Sequence, residues 1–181
     1  MDDRTNAAPK TCGACTLCCK VMAIRELDKP RGEWCRHCRP GVGCTIYDDR
    51  PPPCRSFKCL WLTDPLAPDF AKPDRSKVVL DVDSNGDRLV AHCDPATPTA
   101  WRNEPLYSYL KDWARRAWAD GKMVAASSGR RVWLITPNED IDLGDVDPRS
   151  PFAAEKRADG VIEVTVLPPL PDGEELIQPR I

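Results

Sequence analysis

The stretch Cys12–Cys59, CGACTLCCKVMAIRELDKPRGEWCRHCRPGVGCTIYDDRPPPCRSFKC, carries nine of the ten cysteines of a 181-residue chain. Few long apolar runs interrupt it, and a module of this size buries too little surface to fold without metal or bridges. The redox compartment decides between those two. MDDRTNAAPK, at the amino terminus, has two acids and no apolar h-region, so it does not read as a secretory signal. The expectation is a reducing cytoplasm, where thiols stay reduced and clustered cysteines act as metal ligands.

Spacing supports the same chemistry. Cys12-x-x-Cys15 and Cys35-x-x-Cys38 each let one turn present two sulfurs to one ion. Adjacent side chains diverge, so Cys18 and Cys19 suit two sites or a bridged cluster better than one tetrahedral ion. The candidate ligands are Cys12, Cys15, Cys18, Cys19, Cys35, Cys38, Cys44, Cys54 and Cys59. Two mononuclear zinc sites use eight thiolates, and a trinuclear cluster with three bridging sulfurs uses nine. A single iron–sulfur cluster held by four thiolates leaves five over. The count calls for two or three zinc ions, or a cluster beside a zinc, and does not choose between them.

The segments CGACTLCCK, GCTIY and RPPPCRSFKC resemble the YkgJ-type CxxCxxCC cysteine-cluster family of zinc- or iron-chelating domains. The resemblance covers residues 10–62. The family's eight cysteines map onto Cys12, Cys15, Cys18, Cys19, Cys35, Cys44, Cys54 and Cys59, with Cys38 as a ninth outside that pattern. It implies a metal or an iron–sulfur cluster. Relatives with an assigned role resemble flagellin lysine N-methylases, although residues 76–181 contain nothing that specifies a methyl-donor site. Within the motif, Pro51 to Pro53 stiffen the approach to Cys54. Arg50 and Arg55 are candidate donors to thiolate sulfur or to backbone carbonyls, Arg55 the more so because it adjoins a ligand.

Charge is unevenly placed. Residues 1–60 hold 11 Lys and Arg against 7 Asp and Glu, a surplus of four, and the remainder holds 15 against 21. Two four-thiolate zinc sites would carry a charge near that surplus in magnitude; ordinary scatter explains it equally well. The overall charge of −2 gives no pull toward nucleic acid or an acidic membrane, and no apolar run is long enough to span a bilayer.

Beyond the module, TDPLAPDFAKPDR (63–75) reads as a linker that wraps the next unit. Residues 76–168 read as a small α+β unit, an antiparallel sheet of two hairpins and one further strand with one packed helix. Asn85-Gly86 turns the first hairpin, and Ser127–Arg130 the second. Leu106, Tyr109, Leu110, Trp113 and Ala117 mark one face of the helix, with Asn103 as its cap, Pro105 in its first turn and Gly121 at its stop. GVIEVTVLP alternates strictly and supplies the fifth strand, whereas the acidic run Glu139–Asp147 reads as a solvated loop. Residues 169–181 read as an extended tail.

Other features carry less. Asp81, Asp83, Asn85 and Gly86 imitate half of a calcium loop whose last position is His92 instead of Glu. His37 is an imidazole donor that nine thiols make unnecessary. His92 and Cys93, as neighbours on a strand, point to opposite faces, and Cys93 reads as a buried thiol. Trp113 and Trp133 read as core, and Trp34 and Trp61 as shields over the metal. The leading functional expectation is zinc held in an all-cysteine cluster, structural or serving interaction with another protein. The alternatives are an iron–sulfur protein supporting redox chemistry or protein lysine modification, and a carrier that hands metal on. There is no phosphate loop, HExxH or GxSxG, and the oligomeric state is not specified.

Overall fold

The computed structural model describes residues 10–82, 88–147, 150–158 and 161–169. The amino-terminal third is short pieces: α1 (Cys18–Val21), the ribbon β1 (Cys38–Arg39) and β2 (Gly43–Cys44), α2 (Pro52–Ser56), α3 (Leu60–Thr63) and α4 (Pro73–Ser76). Then come β3 (Val78–Val82), β4 (Arg88–Cys93), α5 (Leu106–Ala119), β5 (Met123–Ser128), β6 (Arg131–Ile135) and β7 (Asp140–Asp145). A separate antiparallel pair, β8 (Phe152–Lys156) and β9 (Ile162–Val166), follows. The fold is mixed α+β, with a mostly antiparallel five-stranded sheet in the order β3-β4-β5-β6-β7.

Two expectations about that sheet are corrected. It is not wholly antiparallel, because β4 and β5 pair in parallel, His92 lying opposite Ser127. The two hairpins stand side by side, and a parallel junction needs a long crossover, which α5 provides. The fifth strand is also not residues 161–166, which pair with β8 outside the sheet. It is β7, inside the acidic run read as a loop. Acids are tolerated there because β7 is an edge strand, where charge discourages pairing with other chains. Asp142 pairs with Arg131 at 2.6 Å, and Gly144 sits at φ 69° beside a register shift at Val132/Trp133.

Helix α5 buries Leu106, Leu110 and Ala114, flanked by half-buried Tyr109, Trp113 and Ala117. Gly121 at φ 69° ends it, and Lys122 N–H reaches the Ala117 carbonyl at 2.7 Å. Its start differs from expectation: Pro105 occupies the N-cap and no side chain caps it. Asn103 instead offers its backbone carbonyl to Tyr107 N–H at 3.0 Å. Leu80, Leu89, Ala91, Val124, Ala126 and Trp133 share this core with the helix. Strand alternation sends Asp81, Val90, His92, Ala125, Ser127 and Val132 to the opposite face, where they line a cavity.

The cysteine-bearing third enters the same core. Leu17, Val21, Leu60 and Trp61 pack in one cluster with Val78, Val79 and Trp101. Residues 63–75 join in, with Ala67 and Ala71 buried. Asn85-Gly86 and the tail from residue 170 lie outside the described residues, but Val82 pairs with Leu89 as an antiparallel hairpin requires. Among the described residues no helix is long and apolar enough to cross a membrane.

The β6–β7 connection is held by one buried cation. Lys111 Nζ donates to the Thr136 carbonyl and to Asp140 Oδ1, each at 2.8 Å, while Tyr107 O–H donates to Asp140 Oδ2 at 2.8 Å. Lys111→Met leaves the half-buried Asp140 carboxylate with only Tyr107 and the more distant Arg102, and should lower the unfolding free energy by about 1–3 kcal/mol, measured by urea denaturation.

Candidate metal centre

Local backbone geometry explains how nine separated cysteines meet. The Cys12 turn closes with Cys15 N–H on the Cys12 carbonyl at 2.9 Å, and the Cys35 turn repeats this with Cys38 at 2.9 Å. Cys35 N–H donates to the Cys19 carbonyl at 3.0 Å, tying the second turn to α1. Cys38 and Cys44 are opposite residues of the β1–β2 ribbon. Pro51 is the N-cap of α2 and accepts Cys54 N–H at 3.0 Å, and Cys59 is the N-cap of α3.

Eight of the nine, Cys12, Cys15, Cys18, Cys19, Cys35, Cys38, Cys44 and Cys54, line one cavity of about 610 Å³ whose far wall is the sheet. Cys59 is buried beneath it, where its thiol feels Cys12 and Cys15. Cys54 feels Cys19, Cys35 and Cys44, and Cys38 feels Cys19 and Cys35. The thiols therefore fall into two overlapping groups, Cys12–Cys15–Cys59 and a larger one centred on Cys19. All ten cysteines are free.

The donor chemistry fits a thiophilic ion or cluster. Among the described residues, however, no group of three or more His, Cys, Asp or Glu side chains is disposed to hold a metal ion. Burial and neighbouring thiols favour the protonated form of Cys12, Cys19, Cys38, Cys54 and Cys59. Burial raises Cys54 to about 11 and Cys38 to about 12, with adjacent thiols adding to both. Cys19 is pushed up first by its hydrogen bond with Cys18 and then by burial. A bound metal would reverse this order, since coordination deprotonates a thiol outright.

Two cations oppose that rise. Arg50 lowers Cys12 and Cys54; its guanidinium stacks 3.5 Å from the Tyr47 ring and donates to the Tyr47 carbonyl at 2.6 Å. The sequence favoured Arg55, which is exposed and whose side chain makes no hydrogen bond or ion pair with the described residues. Lys29 gave no signal in the sequence. Its ammonium is buried, donates to the carbonyls of Lys20 at 2.9 Å, Pro30 at 3.0 Å and Met22, and is drawn to Cys35, Cys19 and Cys18.

The remaining sequence candidates separate clearly. His37 lines the cavity, and its Nε2 receives Arg36 Nε at 3.3 Å. Trp61 is buried in the shared core, whereas Trp34 is 42% exposed with the Lys20 ammonium 5.6 Å from its ring. Trp34 is thus no shield. Cys93 lies in the core on the face opposite His92, and the described part of the calcium-like loop brings Asp81 toward His92. No family model, curated protein or solved structure matches this chain.

Two outcomes follow from these electrostatics. Lys29→Met leaves three carbonyls short of a donor and should cost about 1–3 kcal/mol in urea denaturation. Cys93 is raised by burial from 9.0 to about 12, so above pH 9 the unfolded chain ionises this thiol while the folded chain does not. Stability is intact below pH 9 and falls between pH 9 and 12. Melting curves of chelator-treated protein across that range should show the loss, and Cys93→Ala should reduce it.

Proposed function

We propose that this chain is a metal-binding protein whose nine clustered cysteines hold two or more zinc ions, in a structural role that shapes a surface for another protein. The observation that carries this reading is the convergence of Cys12, Cys15, Cys18, Cys19, Cys35, Cys38, Cys44 and Cys54 on one cavity, with Cys59 beneath it. Their split into two overlapping groups suits more than one ion. Zinc held by thiolates supplies folding energy directly, and a closed four-thiolate site keeps no open position for water or substrate. Lys29 and Arg50 would then offset the negative charge of the ionised sulfurs. Val42 and Tyr47, exposed beside the cysteines at 72% and 59%, offer apolar area to a partner.

Protein purified anaerobically should be colourless and contain two or three zinc ions per chain by elemental analysis. Iron with acid-labile sulfide in a brown preparation overturns the zinc reading in favour of an iron–sulfur protein, and absence of any transition metal overturns both. Cys54→Ser should release metal and melt the amino-terminal third. Cys93→Ala should leave the stoichiometry unchanged.

A further inference from the structure

The wall of the cavity facing the cysteines is built differently. Asp81 on β3, His92 on β4 and Ser127 on β5 project from the same sheet face. His92 and Ser127 are both 7% exposed, and Ser127 Oγ lies 3.0 Å from His92 Nδ1. Arg31, from the cysteine module, places Nη1 2.9 Å from that same Nδ1. A guanidinium only donates, so Nδ1 accepts and the ring proton sits on Nε2, facing Asp81 Oδ2 at 3.7 Å. Serine, histidine and aspartate in this order suggest a nucleophile with its base. The arginine excludes that reading, because a proton moved onto Nδ1 would place an imidazolium against a guanidinium at 2.9 Å. Burial and Arg31 itself both keep His92 neutral, against the pull of Asp81.

What the cluster does is hold a cation in place. The loop carrying Arg31 is fixed on both sides. Gly32, at φ 84°, packs so closely on Pro95 that an added Cβ would meet Pro95 Cγ at 2.7 Å. On its other side Lys29 is held by the carbonyls of Lys20, Met22 and Pro30. Of the guanidinium's five N–H donors, one is bound to His92, and among the described residues no carboxylate lies within salt-bridge distance of the group. Asp81 attracts it from farther away. Because the guanidinium occupies Nδ1, the Ser127 hydroxyl proton is available to a second acceptor. Around this polar point Ile24, Leu27, Val90, Val132, Val146 and Phe152 make the cavity wall apolar. A fixed, under-neutralised guanidinium in an apolar cleft is arranged to receive an oxyanion.

We propose that the cavity binds a small amphiphilic acid, its carboxylate or phosphate received by Arg31 and Ser127 and its apolar body lying along the β4–β6 wall. The site shares its cavity with the cysteines, and Arg31 is carried by their module. Arg130, in the β5–β6 turn, adds positive potential at the cavity wall.

Isothermal titration of the protein as purified with octanoate, octyl phosphate, octanol and inorganic phosphate tests this. Octanoate or octyl phosphate should bind, the tighter one identifying the preferred head group, and octanol should bind at least roughly tenfold more weakly, the value of one charge-assisted pair. Arg31→Gln should remove that difference, whereas Arg36→Gln should retain it. The proposal is overturned by equal binding of octanoate, octyl phosphate and octanol to the unaltered protein, by no binding of any of them, or by unchanged affinity in Arg31→Gln. Should Arg31→Gln fail to fold, the comparison of acid with alcohol on the unaltered protein and on Ser127→Ala still decides, since weaker acid binding is expected in Ser127→Ala and unchanged binding overturns the serine's part.

Discussion

The structure depends on one shared seam: the cysteine-bearing third has no interior of its own and borrows the sheet's. Leu17, Val21, Leu60 and Trp61 supply apolar surface that becomes dry only against Val78, Val79 and Trp101. The connection between them does not hang free, since Ala67 and Ala71 are buried along it. Sealing this seam places the cysteine loops over the other face of the sheet and makes the cavity between them. The expectation that thiolate–metal bonds alone organise this third therefore acquires a competitor. Apolar burial fixes where the module sits, and metal, under the proposed function, fixes how its loops close.

The legible parts of the sequence were those where a local rule and the tertiary context agree. The hairpin at Ser127–Arg130 and the stripe from Leu106 to Ala117 follow from turn chemistry and helical period, and both stand as read. The acidic strand β7 was illegible because its stabilisation is not local. Asp140 is tolerable only beside Lys111 and Tyr107, and Asp142 faces solvent on the edge beside Arg131; a composition rule sees the acids and not their setting. Residues 161–166 failed for the opposite reason. Strict alternation does predict a strand, but it does not say which strand receives it, and β8 pairs with β9 outside the main sheet.

At the cysteines, spacing announced the pairs Cys12–Cys15 and Cys35–Cys38, and the structure brings all nine thiols to one region. The cations around them were the unreadable part. Adjacency to Cys54 favoured Arg55, yet the neighbour of Cys54 on α2 is exposed, while Arg50, one turn earlier, lies back across the motif onto the Cys54 carbonyl at 3.5 Å. Lys29 is invisible for a similar reason, because the loop that carries it folds back through the Ile24–Lys29 bridge to bring the ammonium beneath Cys18, Cys19 and Cys35.

Among the buried or half-buried cations, Lys111, Lys29 and Arg31 differ in how each is satisfied, and the difference separates architecture from the proposed ligand binding. Lys111 has two carbonyls and a carboxylate; Lys29 has three carbonyls. An ammonium has three donors, so both are saturated and belong to the scaffold. Arg31 has five donors and one acceptor among the described residues, the neutral nitrogen of His92. Desolvating a guanidinium for so little return is unfavourable in isolation, and Asp81, His92, Gly32 and Pro95 are all spent on keeping it there. A scaffold that needed only to fill this position would have an apolar residue available at lower cost. The surplus of donors facing the cavity is what an anionic guest would use.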